Sequence, residues 1–493
     1  MVVLAYDLGT TLLKTTLMDT DGQILASKSA AYKTYSDGAC MEQSAEDWWS
    51  AICRTTNQLA SDYPDYAADI GAIGVSGHMS GCLPVDANGD PLMRAMLHAD
   101  TRAVEQKKAI EQTFDKDELY RKTGCILDTR TTLCKILWLH DQYPQIYSHT
   151  SFFIQSKDFI VSRLTGKVGV TDYSDASHAM LLDVNRREYM DAEVQELGLS
   201  REKFPTLFRG IDVVGTVTSD AAAALGIKSG IPVICGGGDG ACANAGAGIS
   251  SPGQIYCSLG TTGWIAGIAD QPIHDEKRRV FDIMSLDGVG HSIFGTMQTA
   301  GRSVEWAKDL FGLDSYQKMD QLAAQAPAGC HDLVFLPYLQ GERSPIYDSN
   351  ARGLFFCVDN NSTQSDFLRA VEEGVSYGLR SILDVFRERQ AVQRMRIIGG
   401  GASSVFWLQI IADVCDIELE TLNTNASNVT SMGVAFAACV GTGVYDSLDE
   451  AAKTLRRGRI IYPSAAPREV YTKQYHKYLA LYPHVKDLYE DRR

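Results

Sequence analysis

The sequence predicts an α/β protein of two related domains facing each other across a cleft, on three observations. Short apolar, β-branched runs come first, then a stretch of helical period, then a strand again, an order that is mixed α/β rather than strict βαβ alternation. A strand–turn–strand unit occurs twice. Asp7-Leu8-Gly9-Thr10-Thr11 and Ser258-Leu259-Gly260-Thr261-Thr262 share Leu-Gly-Thr-Thr, and each follows one apolar strand and precedes another. The 493 residues suffice for two or three domains, at roughly 100–200 residues apiece, each with its own core. Duplication puts the division near Gly248, with an N-terminal domain over 1–247 and a C-terminal domain over 248–493.

The elements follow in order. Residues 2–6 are apolar and β-branched, 12–18 form a second extended run, and Asp21-Gly22 turns the chain into a third at 23–27. Ser44 and Asp47 form a capping box ahead of Trp48, Ile52 and Leu59, the buried stripe of an amphipathic helix. A strand is expected at 72–75, a hairpin turn at Asn88-Gly89 and a strand at 231–235. In the second half, strands at 254–259 and 264–268 flank the second Gly-Thr-Thr turn. Phe367, Val371, Val375, Leu379, Ile382 and Phe386 recur at three- and four-residue steps, which is one long helix with a buried face. Residues 396–398 are a strand running into Gly399-Gly400-Gly401, after which Ser403 caps a helix carrying Trp407, Ile410 and Ile411.

Composition removes several function classes. Hydrophobic residues at 45% and charged residues at 22% exclude a disordered or collagen-like chain. Acidic side chains number 61 against 46 basic, a net charge of −15, and a field of that sign repels a nucleic-acid backbone. A nucleotide ligand stays compatible, because backbone N–H groups and a metal ion bind phosphate locally. The cysteines form no C-x-x-C pair, which argues against a redox motif or structural zinc and reads as scattered reduced thiols. No basic region precedes Asp7 and no run of about eighteen apolar residues exists, so the expectation is a cytoplasmic protein without signal peptide or membrane span. The N-x-S/T triplets at Asn360, Asn361, Asn425 and Asn428 then read as chance matches.

The glycine-rich turns carry the chemistry. A Gly-Thr-Thr turn presents consecutive backbone N–H groups, with threonine hydroxyls as further donors. Gly9, Thr10 and Thr11 on one side and Gly260, Thr261 and Thr262 on the other can grip two ends of a triphosphate; singly, each is equally a tight hairpin. A carboxylate beside a phosphate nest is repulsive unless a cation intervenes, so Asp7 points to Mg²⁺ held largely through water. Lys14 either neutralises more phosphate charge or is a solvated strand residue. No P-loop string occurs. Gly400, Gly401, Ala402 and Ser404 lack the third glycine of a dinucleotide fingerprint, yet offer a nearly side-chain-free surface at a helix N-terminus for a base or sugar. Asp239 stands alone among small residues after the 231–235 strand. It is either a catalytic base or a helix N-cap, and a charge in so small a cradle at a domain junction favours catalysis.

Taken together, these strings resemble those of the FGGY carbohydrate kinases, of the actin-like, ribonuclease-H-like ATPase superfamily, nearly end to end. They are residues 7–14, GVSGHMSG at 74–81, TLCKILWL at 132–139, TDYSDAS at 171–177, PYLQGERSP at 337–345 with ARGLFF at 351–356, GGGASS at 399–404 and SMGVA at 431–435. The resemblance implies two actin-like domains, with sugar and base on the N-terminal one and nucleotide on the C-terminal one. It implies Asp239 as the base that takes a sugar hydroxyl proton, Asp7 as the acid near the metal, and ATP with Mg²⁺ as cofactors. Domain closure would expel water as a competing acceptor. The sugar would meet His78, Met79 and Ser80 from one loop and Asp100 and Arg102 from another, beside Gly240. Arg102 is either the ion-pair partner of Asp100 or the ligand of a carboxylate.

The chain departs from the pattern at several places. Gly240 stands where xylulokinases carry Asn and glycerol kinases Gln, and His98 where Trp is common. His78 and Ser80 replace the Gln and His of xylulokinases, Cys357 and Glu372 leave the signature, and DGACAN at 239–244 is nearer to the gluconate-kinase string. The expected reaction is ATP-dependent phosphorylation of a ketopentose such as xylulose. Gluconate or a sugar alcohol is the alternative substrate, and an actin- or Hsp70-like ATPase switch the distant alternative. Expected partners are sugar and ATP, without nucleic acid or membrane, and with a homodimer as one option for the oligomeric state.

Overall fold

The computed structural model describes residues 1–423 and 426–492; Asn425 falls outside them. The chain opens on β1 (Val2–Leu8), β2 (Leu12–Asp19) and β3 (Ile24–Ala31), an antiparallel meander. Strand β1 is buried on both faces, which is why it reads as an unbroken apolar run. Val2, Leu4, Tyr6 and Leu8 enter one core, and Val3 and Ala5 another. Successive side chains of a strand point to opposite faces, so Asp7 shares the face of Val3 and Ala5.

Helix α1 (Ala45–Asp62) buries Trp48, Ile52 and Leu59 as expected. Its capping box is not formed, because Ser44 makes no side-chain cap bond. The Asp47 N–H, which the hydroxyl would have taken, goes to the Ser44 carbonyl at 3.2 Å instead. The Asn88-Gly89 turn is present, with the Gly89 N–H on the Asp86 carbonyl at 3.1 Å. Strand β4 (Ile70–Gly77) pairs parallel with β1; helix α2 (Ser156–Thr165), β5 (Val213–Thr216) and β6 (Pro232–Ile234) complete the half. The strand order is β5-β6-β4-β1-β2-β3, with a two-residue strand, Gly237–Gly238, on the end of β4. Helix α3 (Asp239–Gly246) leaves that short strand directly.

The second half repeats the plan with β7 (Ile255–Leu259), β8 (Gly263–Ala269), β9 (Phe281–Met284) and β10 (His291–Met297). Helix α4 (Gly301–Leu310), the long α5 (Gln364–Arg387), β11 (Arg394–Ile398), α6 (Val405–Cys415), β12 (Glu418–Leu422), α7 (Val429–Gly441) and β13 (Arg457–Ile461) follow. The order is β9-β10-β8-β7-β11-β12-β13. From β13 to β10 it matches β5 to β3 strand for strand, including the antiparallel edge pair at one end and the parallel pairs in the middle. The short Leu-Gly-Thr-Thr repeat is therefore the visible trace of a duplicated fold.

Helices α3 and α7 lie between the sheets. Their Ala241, Cys242, Val434 and Ala438 share one core with Val3 and Ala5 from β1 and Tyr256 and Ala266 from the second sheet. Glycines allow the contact: a Cβ on Gly433 would stand 1.8 Å from the Cys242 carbonyl oxygen, and one on Gly246 1.8 Å from that of Val429. Helix α7, late in the chain, thus packs on the first sheet, where a Cβ at Gly74 would meet the Val434 carbonyl at 2.7 Å. The helix after Gly399 is capped by Ser404, which accepts the Trp407 N–H at 3.0 Å; Ser403 lies within the preceding turn and is not the cap. All twelve cysteines are free thiols. Among the described residues no helix is long and apolar enough to cross a membrane.

Candidate active site

Two ladders bring the acidic residues together. Asp7 pairs with Ser76 across β1 and β4, and Ser76 pairs with Gly237. Asp239 stands two residues beyond Gly237, at the first position of α3. It is the first helical residue rather than the N-cap, which is Gly238, and its Oδ1 accepts the Gly240 N–H at 2.8 Å. Burial pushes the Asp239 carboxyl up to about 6 against that hydrogen bond. Burial, then the charge of Asp239, pushes Asp7 up to about 7, with Lys14 pulling the other way.

The two Gly-Thr-Thr loops sit at equivalent hairpins, β1–β2 and β7–β8. Carbonyls of the first are tied back: Tyr32 donates to the Gly9 carbonyl, and the Gln43 amide to that of Thr10 at 2.7 Å. The second is held by the start of α4, whose Gly301 N–H donates to the Gly260 carbonyl at 2.8 Å, while Ala300 and Arg302 reach the Thr261 carbonyl at 3.0 and 3.1 Å. Thr262 closes that turn by accepting the Gly260 N–H at 3.0 Å. In both loops, then, backbone carbonyls are tied back by the surrounding structure. Sequence reasoning missed α4 here, because nothing in its composition links it to the loop.

Lys14 is half-buried. Its ammonium donates to the Ser427 carbonyl, to the Ser427 hydroxyl at 2.8 Å and to the Asn428 side-chain oxygen at 2.9 Å, joining the two halves. The glycine turn at 400–403 divides by position. A Cβ on Gly400 meets nothing within 4 Å, whereas one on Gly401 would stand 2.6 Å from Leu259 and 2.8 Å from Trp407. Gly401 is therefore a packing glycine. Ala402 packs against the second core, and Ser404 also donates to Asp320 at 2.7 Å.

The residues expected around the sugar separate into two groups. Met79 packs its thioether against Gly238, and its sulfur would lie 3.8 Å from a Cβ at Gly240. That Cβ would also stand 3.3 Å from Phe294, so the space relatives fill with Asn or Gln adjoins an aromatic ring here. Ser80, with φ +58°, shares a 2.7 Å hydrogen bond with His178 Nδ1. Ser80, His98 and His178 line a cavity of about 230 Å³ whose far wall comes from the second half. By contrast His78 is 2% exposed and sits edge-on to Trp48 with ring centroids 5.5 Å apart. Neither of its ring nitrogens has a hydrogen-bond partner among the described residues, and burial pushes it down to about 3. Arg102 forms a salt bridge to Asp100 at 2.6 Å and another to Glu42 at 2.7 Å, and lies over Trp138. Asp100 also accepts the Met41 N–H at 2.8 Å. These two residues pair with each other, the first of the two readings of Arg102, and neither lines the cavity that holds Ser80 and His98.

Behind Asp239 lies a network that the sequence did not disclose. Lys157 on α2 is wholly buried, 2.6 Å from Asp158, 3.0 Å from Asp172 and 3.4 Å from Asp175. Asp172 accepts the Ser174 hydroxyl, and Ser174 Oγ accepts the Gly238 N–H at 3.0 Å. The backbone that carries Asp239 is thereby fixed to a charged cluster. Two of its acids, Asp172 and Asp175, belong to the TDYSDAS string and the third, Asp158, adjoins Lys157 in the chain, but the lysine gave no signal of the two distant partners.

The duplicated α/β fold thus sets two Gly-Thr-Thr hairpins at equivalent places and brings Asp7 and Asp239 to adjoining segments of one sheet. The family model of the FGGY family of carbohydrate kinases matches in two parts, its N-terminal domain over residues 2–246 and its C-terminal domain over 255–442. The chain belongs to the FGGY family of carbohydrate kinases, enzymes that transfer a phosphoryl group to a sugar hydroxyl. It is 32% identical to a xylulose kinase of Bacillus subtilis (strain 168) over 490 residues, covering 99% of this chain and 97% of that one. A ligand-bound xylulose kinase from Lactobacillus acidophilus superposes with a TM-score of 0.94 at 25% identity, covering all of both chains. A gluconate kinase from the same organism shares the fold at a TM-score of 0.94 and 24% identity, over 100% of this chain and 99% of that one. Overall backbone shape therefore does not choose between the two sugars.

Proposed function

We propose that the protein phosphorylates a small sugar with ATP, a ketopentose such as xylulose, and that Asp239 is its base. The observation that carries this reading is a carboxylate of raised basicity, Asp239, at the start of α3, brought by two strand ladders to the segment that carries Asp7 beside the first Gly-Thr-Thr loop. Asp239 would accept the proton of the sugar hydroxyl as that oxygen attacks the γ-phosphorus in line, with ADP leaving on the opposite side. A group near 6 is ionised at neutral pH yet basic enough to take the proton in the transition state. Loop N–H groups at 9–11 and at 261–262 would hold the phosphates and offset charge on the transferring group.

Asp7 and Asp239 repel across a buried site, and a cation near them relieves that repulsion, so the residues fit Mg²⁺. Asp7 would hold the ion together with water and the triphosphate, and the ion would supply charge neutralisation on the phosphate oxygens. We place the adenosine over the open face at Gly400, the sugar in the 230 Å³ cavity beside Ser80 and His98, and the domain division near Gly248. An ATPase switch needs no acceptor cavity, which disfavours that alternative. ADP release measured over ketopentoses, aldonates and polyols tests the proposal: xylulose should give the highest kcat/KM, and sugar-independent ADP release alone would overturn it.

A further inference from the structure

The cavity beside Ser80 is shared between the halves, and its charged groups are answered with one exception. Arg130 makes a two-point contact with Asp128, at 2.7 and 3.0 Å. Lys135, beneath the loop, gives its ammonium to the carbonyls of Ser80 and Leu97. His98 and His178 are held neutral by burial, and neutral imidazoles suit sugar hydroxyls as donor or acceptor. Arg343 differs. It reaches this cavity from the second half, on the PYLQGERSP segment. Its Nε is buried without a hydrogen-bond partner among the described residues, and its one side-chain bond is a long 3.4 Å contact from Nη2 to the Met297 carbonyl. The adjacent Glu342 faces away, accepting the N–H groups of Gln298 and Arg343 at 2.6 and 2.7 Å, and burial pushes it up to about 8, so at neutral pH it offers little charge. A guanidinium whose Nε is buried without a partner, beside a second guanidinium, calls for ligand oxygen.

We propose that Arg343 is a specificity-determining residue that binds the oxygen-bearing end of the acceptor, away from the hydroxyl being phosphorylated. The inference rests on the acceptor reading made above. It gives the sugar contacts on both halves, and it assigns to Arg343 the role that Arg102, already paired, does not fill. The shared chemistry is an acceptor oxygen, carried by the carbonyl of a ketose or by the carboxylate of a sugar acid; a carboxylate would take both arms of the fork.

The test is steady-state kinetics of Arg343→Met and Arg343→Lys with xylulose and with gluconate, each at saturating ATP, plus the KM for ATP. A hydrogen bond from a charged donor corresponds to roughly 10–100-fold in binding, so Arg343→Met should raise the sugar KM by at least about tenfold while the KM for ATP stays within about twofold. Arg343→Lys should recover part of that loss, because it keeps charge but not the fork, and it serves alone if the Met variant does not fold. A larger loss for xylulose assigns the carbonyl, and a larger loss for gluconate the carboxylate. An unaltered sugar KM in either folded variant overturns the proposal alone. If the unaltered enzyme releases no ADP in response to any sugar, the acceptor reading fails and this inference with it.

Discussion

Asp239 sits where a base must be costly to ionise. Its carboxyl is pushed from 3.8 to about 6 by burial, so kcat/KM should climb about tenfold per pH unit up to about pH 6 and then level. Asp239→Asn keeps the size and removes the basicity, so kcat should fall at least about 10²-fold while ATP still binds. The same shift predicts a stability effect of opposite sign. A folded value above the unfolded one means that the protonated form stabilises the fold below about pH 3.8 and that this is lost as pH rises through about 6. Asp239→Asn should therefore melt higher than the unaltered protein at pH 8, by on the order of 2–3 kcal/mol at most, and level with it below pH 4. A variant with near-native turnover would reduce Asp239 to a structural residue. Gly400 and Gly401 make a second residue-level contrast. Gly400→Phe projects into open space and should raise the KM for ATP with sugar KM unaltered, whereas Gly401→Phe collides with Leu259 and Trp407 and should lower the yield of folded protein.

At the scale of elements, the crossing of α3 and α7 and the anchoring of α2 hold the site in place. Gly433→Ala puts a Cβ against the Cys242 carbonyl, a backbone atom that no rotamer change can move away. It should cost roughly 3 kcal/mol or more in denaturant unfolding, the range of severe overpacking, and should slow turnover because α3 carries Asp239. Lys157→Met leaves Asp158, Asp172 and Asp175 buried without their cation. Breaking a buried ion cluster by removing one partner costs about 3–5 kcal/mol, so this variant should unfold at markedly lower denaturant. Equal midpoints for Lys157→Met and the unaltered protein would mean that the cluster is neutralised by protonation and holds nothing.

At the scale of the molecule, the two Gly-Thr-Thr loops sit on different sheets, so the proposal that both act on one triphosphate requires the halves to approach. Lys14 already spans them, bonding to Ser427 and Asn428, and the cavity beside Ser80 has walls from both. At the junction Arg396 donates to the Ala247 carbonyl at 2.9 Å, next to Gly248 with φ +72°. Sugar and a non-hydrolysable nucleotide together should compact the enzyme more than either alone in small-angle scattering. Scattering curves that superpose with and without both ligands would remove closure from the mechanism.

The sequence by itself determined the duplicated α/β plan, the two Gly-Thr-Thr loops, the family, and Asp7 and Asp239 as the acids of interest. Each of these is local: a strand, its turn and the residue beside it are neighbours in the chain, so their pattern survives in one dimension. Asp239 was legible because small residues surround it in sequence, although Met79 and Phe294 stand close to its neighbours Gly238 and Gly240 in space. What only the tertiary structure decided are pairings between distant segments. Whether Arg102 and Asp100 pair with each other is not written in their spacing, and Glu42, nearly sixty residues earlier, completes the ion-pair cluster they form. His78 is adjacent to Met79 and Ser80, yet its ring turns to Trp48 because alternation along a short loop sends neighbours in different directions. Lys157, Phe294 and Arg343 gave no local sign of their surroundings, since a lone charge or ring acquires its meaning from partners that folding brings from elsewhere. Gly400 and Gly401 are chemically identical and adjacent; only the position of Leu259 and Trp407 makes one a surface and the other a packing contact.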